Sequence, residues 1–246
     1  MGRLRAAGCV AAEEEARELL AHAPDGATLD AWVARREQGE PLAWITGQTC
    51  FLGGHVRVEP GVYVPRVQTE ELARRAAGAL PRGGRAVDLC TGSGAIAAHL
   101  RATVPSAHVV GVDVDVRAAM CARRNAVPAI VADVRSVPLR SHVFDVVTAV
   151  PPYVPTNAMP LLAADVRRYE PAIAVDGGAD GLAVARHVVA TAARLLRPGG
   201  VLLLELGGEQ DDALVPTLAA AGFPSAEPWH DDDGALRGVA AAARPM

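Results

Sequence analysis

From Arg85 onward, apolar runs of strand length alternate with longer stretches whose apolar residues recur at helical spacing. This is the pattern of a mostly parallel sheet covered on both faces, an α/β arrangement. Arg85–Leu89, His108–Asp113, Ala129–Ala132, Val143–Ala149 and Gly200–Leu206 read as strands, with weaker ones near Ala226–His230 and Val239–Ala243. Helices fall between them, clearest at Gly181–Leu196. Arg197-Pro198-Gly199-Gly200 then reads as a sharp turn into a buried strand, because proline cannot extend a helix and glycine tolerates positive φ. Upstream, Ala11–Ala21 and Leu29–Gln38 read as short helices, the second entered through Thr28 or the turn Pro24-Asp25-Gly26. Thr49–Val58 alternates around Gly53-Gly54 as a hairpin does, and Pro60-Gly61 closes it ahead of Val62-Tyr63-Val64-Pro65. The expected division is a short helical domain at 1–47, a β-hairpin linker at 48–64 and an α/β domain at 65–246.

The candidate chemistry gathers where these strands end. The first runs into Asp88-Leu89-Cys90-Thr91-Gly92-Ser93-Gly94, a glycine turn opening a helix, where backbone approaches a ligand closely and unpaired amides face it. Asp113 follows the second strand, nineteen positions beyond Gly94, at the spacing of a carboxylate that holds ribose hydroxyls. These two features alone also fit a dinucleotide-binding fold. Asp88 shifts the balance, since its charge repels a pyrophosphate but suits the cationic amino acid end of S-adenosylmethionine. Asp133, just after the third strand, is placed to accept from an adenine amino group. The fourth strand runs into Val150-Pro151-Pro152-Tyr153, whose two prolines remove two backbone donors, stop the strand and leave a stiff corner.

Composition narrows the class without naming the chemistry. The chain has 246 residues, 50% of them hydrophobic, enough for one main domain with a small appendage. Its net charge of −4 carries no footprint for a phosphate backbone, so direct nucleic-acid binding is not expected. Cys9, Cys50, Cys90 and Cys121 are scattered and form no C-x-x-C pair, and the histidines show no metal spacing, so neither a metal site nor a disulfide framework is expected. Glu13-Glu14-Glu15 interrupts any leader-like apolar segment, and the longest apolar runs are too short to span a bilayer. A soluble, cytoplasmic protein without membrane association is the expectation.

With these motifs in view, the chain resembles the HemK/PrmC family of protein-glutamine methyltransferases. The resemblance runs from about Pro41 to the C-terminus and rests on Pro41-Leu42-Ala43-Trp44-Ile45-Thr46-Gly47, Pro65-Arg66-Val67-Gln68-Thr69-Glu70, the glycine turn and the Pro-Pro-Tyr corner. Tyr169-Glu170-Pro171, Asp176-Gly177-Gly178-Ala179-Asp180-Gly181-Leu182 and Leu203-Leu204-Glu205-Leu206-Gly207 continue it. It implies a Rossmann-like class I S-adenosylmethionine-dependent methyltransferase with a seven-stranded mixed sheet whose last strand is antiparallel. The helical domain before it would help recognise a protein substrate, and the acceptor would be a glutamine side-chain amide in the Gly-Gly-Gln motif of a peptide chain release factor. By motif, Asp88, Thr91, Gly92 and Gly94 would line the cofactor's methionine end, Asp113 its ribose and Asp133 its adenine. Val150, Pro151, Pro152 and Tyr153 would form the acceptor slot.

The chain departs from the family pattern at three places. Val150 stands where the family carries Asn, removing a side-chain acceptor and donor for the substrate amide while leaving the carbonyl groups of Val150 and Pro151. Gln68 replaces a carboxylate of the linker motif, and the N-terminal helical part is shorter than usual. These departures keep two alternatives open: the same cofactor with a different acceptor, or an S-adenosylmethionine-binding protein of weakened catalysis that acts through partners.

Overall fold

The computed structural model describes residues 1–245. Four helices come first: α1 (Gly2–Ala6), α2 (Ala12–His22), α3 (Gly26–Glu37) and α4 (Leu42–Thr46). They gather around Leu4, Ala12, Ala16, Leu19 and Ile45, apolar side chains too few to form more than a local cluster. Asp25 caps α3 by accepting from the Thr28 amide at 2.7 Å, the entry expected from the Pro24-Asp25-Gly26 turn. The hairpin follows as β1 (Gln48–Phe51) and β2 (Gly54–Arg57), paired antiparallel. Trp44 anchors α4 to the linker by donating its ring N–H to the Val62 carbonyl at 2.9 Å.

The main body then runs α5 (Thr69–Ala79), β3 (Arg85–Leu89), α6 (Ala95–Thr103), β4 (His108–Asp113), α7 (Val116–Arg124), β5 (Ala129–Val131) and β6 (Phe144–Ala149). It continues through α8 (Ala164–Tyr169), α9 (Ala183–Leu195), β7 (Leu196–Glu205), α10 (Gln210–Ala220), β8 (Ala226–His230) and β9 (Leu236–Ala242), with three short 3-10 turns between β5 and α9. The sheet order is β5-β4-β3-β6-β7-β9-β8, parallel except where β9 runs antiparallel between β7 and β8. This is the expected seven-stranded mixed sheet. Its central strands are apolar on both faces because helices cover both. On one side α9 buries Ala185, Val188, Val189, Ala192 and Leu195 against β6 and β7, and on the other α5 and α6 bury Leu72, Ala73, Ile96 and Leu100.

Four elements depart from the sequence expectations. Helices α1 and α4 are too short to show periodicity, and α5, whose first two residues close the Pro65–Glu70 motif, is a helix where no separate element was expected. The expected turn at Arg197-Pro198-Gly199-Gly200 is instead the irregular start of β7. Leu196, almost fully buried, pairs with Phe144, and a bulge between Phe144 and Val146 absorbs the extra residues before regular pairing resumes at Val201.

Chain order reverses direction across the sheet at β3, whose neighbours are β4 on one side and β6 on the other. The carboxyl ends of β3, β4 and β6 therefore open a crevice at the topological switch point. Strand β6 stops there because Pro151 and Pro152 have no N–H to extend the ladder.

Candidate active site

A cavity of about 410 Å³ occupies that crevice, within the size range of small-molecule sites. The glycine turn supplies one wall. Cys90 takes a left-handed conformation, φ 56°, and Thr91 returns its amide to the Val112 carbonyl at 3.0 Å. Asp88 lies behind the turn, 1% exposed, accepting from the hydroxyls of Thr91 at 2.6 Å and Thr148 at 2.7 Å. Burial, opposed by these bonds, raises its pKa to about 6. Asp113 accepts from the Gly92 amide and from the Asp115 amide, both at 2.9 Å, and burial again raises its pKa.

Of the cofactor-side residues expected from sequence, Thr91, Gly92, Asp113 and Asp133 line the cavity. Two do not. Asp88 stands behind the wall because both its oxygens are taken by the two threonine hydroxyls, so it holds the turn rather than facing the cavity. Gly94 sits at the N-terminus of α6 with φ 81°, where a Cβ would come within 2.9 Å of the Ala122 Cβ. Its missing side chain lets α6 and α7 approach each other. Asp133 is the most solvated of the group. Its carboxylate accepts from the Arg135 guanidinium at 2.6 to 3.0 Å, which holds its pKa down at about 2.

Across the cavity Val150 and Pro152 form the opposite wall. Pro151 is buried outside the lining, and Tyr153 turns toward a neighbouring depression, where its carbonyl accepts from the Gln210 side chain at 2.8 Å. The expected slot is thus narrower than four consecutive residues. Its remaining walls come from the linker and from the chain after α8: Tyr63, Pro65 and Thr69 on one side, Pro171, Ile173 and Ala174 on the other. A partly buried ion pair joins these two segments, with Arg66 donating to Glu170 while its guanidinium lies 4.9 Å from the Tyr63 ring centre. No local pattern places these stretches in the site, because only the folded chain brings residues so far apart together. His187, at the start of α9, also lines the cavity.

Apolar walls, two carboxylates at strand ends and a glycine turn match an adenosine-bearing cation better than a polyphosphate. A methyltransferase-domain profile matches residues 86–170. Over 212 residues the chain is 37% identical to the release factor glutamine methyltransferase of Geobacter sulfurreducens, covering 84% of this chain and 75% of that one. The chain belongs to the release factor glutamine methyltransferase family. It is accordingly an S-adenosylmethionine-dependent methyltransferase, and the cavity residues fit that cofactor. A second relative is named for a different acceptor. The 4-amino-L-phenylalanine/4-methylamino-L-phenylalanine methyltransferase of Streptomyces pristinaespiralis is 38% identical over 248 residues, covering 89% of this chain and 84% of that one. In fold, the family member also resembles a solved structure from E. cuniculi, the Mtq2-Trm112 complex that methylates the eRF1 termination factor (TM-score 0.56, 21% identity, 75% and 99% coverage). Among the described residues no helix is long and apolar enough to cross a membrane, and no cluster of side chains is arranged to hold a metal.

Proposed function

We propose that this chain methylates a nitrogen that carries hydrogens, and that the nitrogen is a glutamine side-chain amide of a protein such as a peptide chain release factor. One observation carries this reading. Among the described residues, no donor bonds the carbonyl oxygens of Val150, which lines the cavity, and of Pro151, which follows it directly. An amide nitrogen is a weak nucleophile because its lone pair is delocalised. Two fixed carbonyl acceptors that take its hydrogens orient the lone pair toward the methyl group and favour attack, which is catalysis by positioning and electrostatics. The bound cofactor supplies the electrophilic sulfonium methyl group. In this reading Thr91 and Gly92 flank the cofactor's methionine end, Asp113 binds its ribose hydroxyls, and Asp133 accepts from its adenine amino group. Asp88 and Gly94 shape the turn, Pro152 shapes the slot, and Tyr153 backs it. Residues 1–47 form the acceptor-recognising part ahead of the linker at 48–64 and the transferase domain at 65–246, and a release-factor acceptor sets the enzyme in the cytoplasm. The family name of the Geobacter relative supports this acceptor.

Val150 favours a second reading. An apolar residue there suits an aromatic amine, whose ring packs on carbon while its N–H groups meet the same carbonyl oxygens, and the Streptomyces relative is named for such an acceptor. Purified protein with labelled S-adenosylmethionine separates the two. Label in a release factor that vanishes when the glutamine of its Gly-Gly-Gln motif is replaced supports the first, and label in 4-amino-L-phenylalanine alone supports the second. Transfer to neither, with the cofactor bound, would leave a binding protein without turnover.

A further inference from the structure

Glu205 is the last residue of β7, 2% exposed, and neither of its carboxyl oxygens has a hydrogen-bond partner among the described residues. Leaving a buried carboxyl group unpaired is costly, so its position matters. The parallel register sets Thr148 beside Leu203 and Ala149 beside Leu204. One step further along the two chains, Val150 comes beside Glu205, on the face where side chains alternate with Thr148 and Leu203. Helix α5 covers that face, where Leu72, Ala73, Val146 and Leu203 share one cluster and Val150 packs against it. The hydroxyls of Thr69, in the first turn of α5, and Tyr153, in the proline corner, are close enough to the carboxyl group to favour its charged form, though neither makes a well-aligned hydrogen bond to it. Tyr63 from the linker and Arg237 from β9 complete the titratable groups around it, and Arg237 is already paired with Asp231 at 2.5 Å. Of these neighbours Tyr63, Thr69 and Val150 line the cavity. An unpaired carboxyl group therefore stands one side chain behind the acceptor wall, next to a residue that has no polar atom to offer.

We propose that Glu205 takes up the proton released by the acceptor nitrogen, through the hydroxyl of Thr69. The inference rests on the nitrogen-methylation reading. As the nitrogen lone pair forms the N–C bond, the S–C bond breaks and its electron pair returns to sulfur, leaving the nitrogen with one hydrogen to shed. The Thr69 oxygen accepts that proton while passing its own to the Glu205 carboxylate, which ends as a neutral carboxyl group and gives the proton up to solvent before the next turnover. Burial supports this use, since it raises the Glu205 pKa to about 7, near the pH at which a proton acceptor works best.

The test combines turnover with a direct view of the carboxyl group in the full chain. Wild type, Glu205→Gln, Thr69→Val and Thr69→Ser are assayed across pH with labelled S-adenosylmethionine and whichever of the release factor or 4-amino-L-phenylalanine takes label. Glu205→Gln and Thr69→Val should lower kcat by ~100-fold and abolish the acidic limb of the pH profile, with the cofactor's KM unchanged. Thr69→Ser, which keeps the hydroxyl, should restore the limb. In parallel, infrared spectra of wild type minus Glu205→Gln should show a protonated carboxyl band that titrates near neutral pH. A band that does not titrate, or an acidic limb that survives Glu205→Gln, overturns the role of Glu205 while leaving nitrogen methylation standing. Wild type that binds cofactor but labels neither acceptor overturns the nitrogen-methylation reading and this inference with it.

Discussion

Around the glycine turn every buried acceptor is matched from within: Asp88 by Thr91 and Thr148, Asp113 by Gly92 and Asp115. Across the same cavity the carbonyl oxygens of Val150 and Pro151 and the carboxyl group of Glu205 accept from nothing among the described residues. The first side is rigid before anything binds, because its hydrogen bonds are already spent on its own shape. The second is incomplete by itself, and an arriving N–H group completes it. A methyltransferase that keeps one cofactor while its relatives differ in acceptor gains from this division, since the acceptor side can change without disturbing the turn.

Substitutions on the two sides should therefore fail differently. Asp113→Ala removes two charge-assisted bonds of the turn, which costs ~3–5 kcal/mol. Both the melting temperature and cofactor affinity should fall, the latter by more than ~100-fold by calorimetry; normal affinity would break the claim that the turn is held from within. Next in size is an effect of pH on stability. Glu205 moves from an ordinary 4.5 to about 7 on folding and Asp88 from 3.8 to about 6, both through burial. A raised carboxyl pKa stabilises the fold below the unfolded value, and that contribution is lost as pH rises through the folded one. Wild type should thus lose ~3 kcal/mol through Glu205 between about pH 4.5 and 7. In Glu205→Gln, denaturant titrations should lose that part and keep the part due to Asp88, between about pH 3.8 and 6. An unchanged pH dependence would mean that Glu205 is not an unpaired acid in the folded chain.

Smaller again is Val150→Asn, which supplies one side-chain acceptor at the slot. Activity toward a Gly-Gly-Gln peptide should rise by ~10 to 100-fold, equivalent to ~1–3 kcal/mol, and activity toward an aromatic amine should fall. No change in either would mean that position 150 does not face the acceptor. The smallest effect belongs to Arg135→Ala, which frees the Asp133 carboxylate from an exposed, solvent-screened ion pair. Cofactor affinity should rise by no more than ~5-fold, and a large loss would give Arg135 a direct part in binding.

Most of the sheet could be read from the chain because its central strands are largely apolar runs: Arg85–Leu89 and His108–Asp113 coincide with β3 and β4. The cofactor side was legible for the same reason, its carboxylates falling at strand ends where sequence order fixes position. The acceptor side was legible only in part. Val150 and Pro152 lie two positions apart along the chain and both line the cavity, but Tyr63, Thr69 and Ile173 reach it through tertiary packing that no local pattern records. Asp88 was legible as an acid near the turn, yet its bond to Thr148, 60 positions away, decides that it faces inward. Glu205 stood in plain sight inside Leu203-Leu204-Glu205-Leu206, an acid in an apolar strand. Only the register with β6 gives it a neighbour at the slot.

Pro151 and Pro152 were described as the reason a strand stops, but together they also make a stretch of backbone with one polarity, able to accept hydrogen bonds and unable to give any. With glutamine as the proposed acceptor, such a surface would also act as a filter against spoiled substrate. A glutamine that has lost ammonia to become glutamate would present two lone-pair-bearing, negatively charged oxygens to oxygens that repel them, and would be turned away without any residue set aside to inspect it.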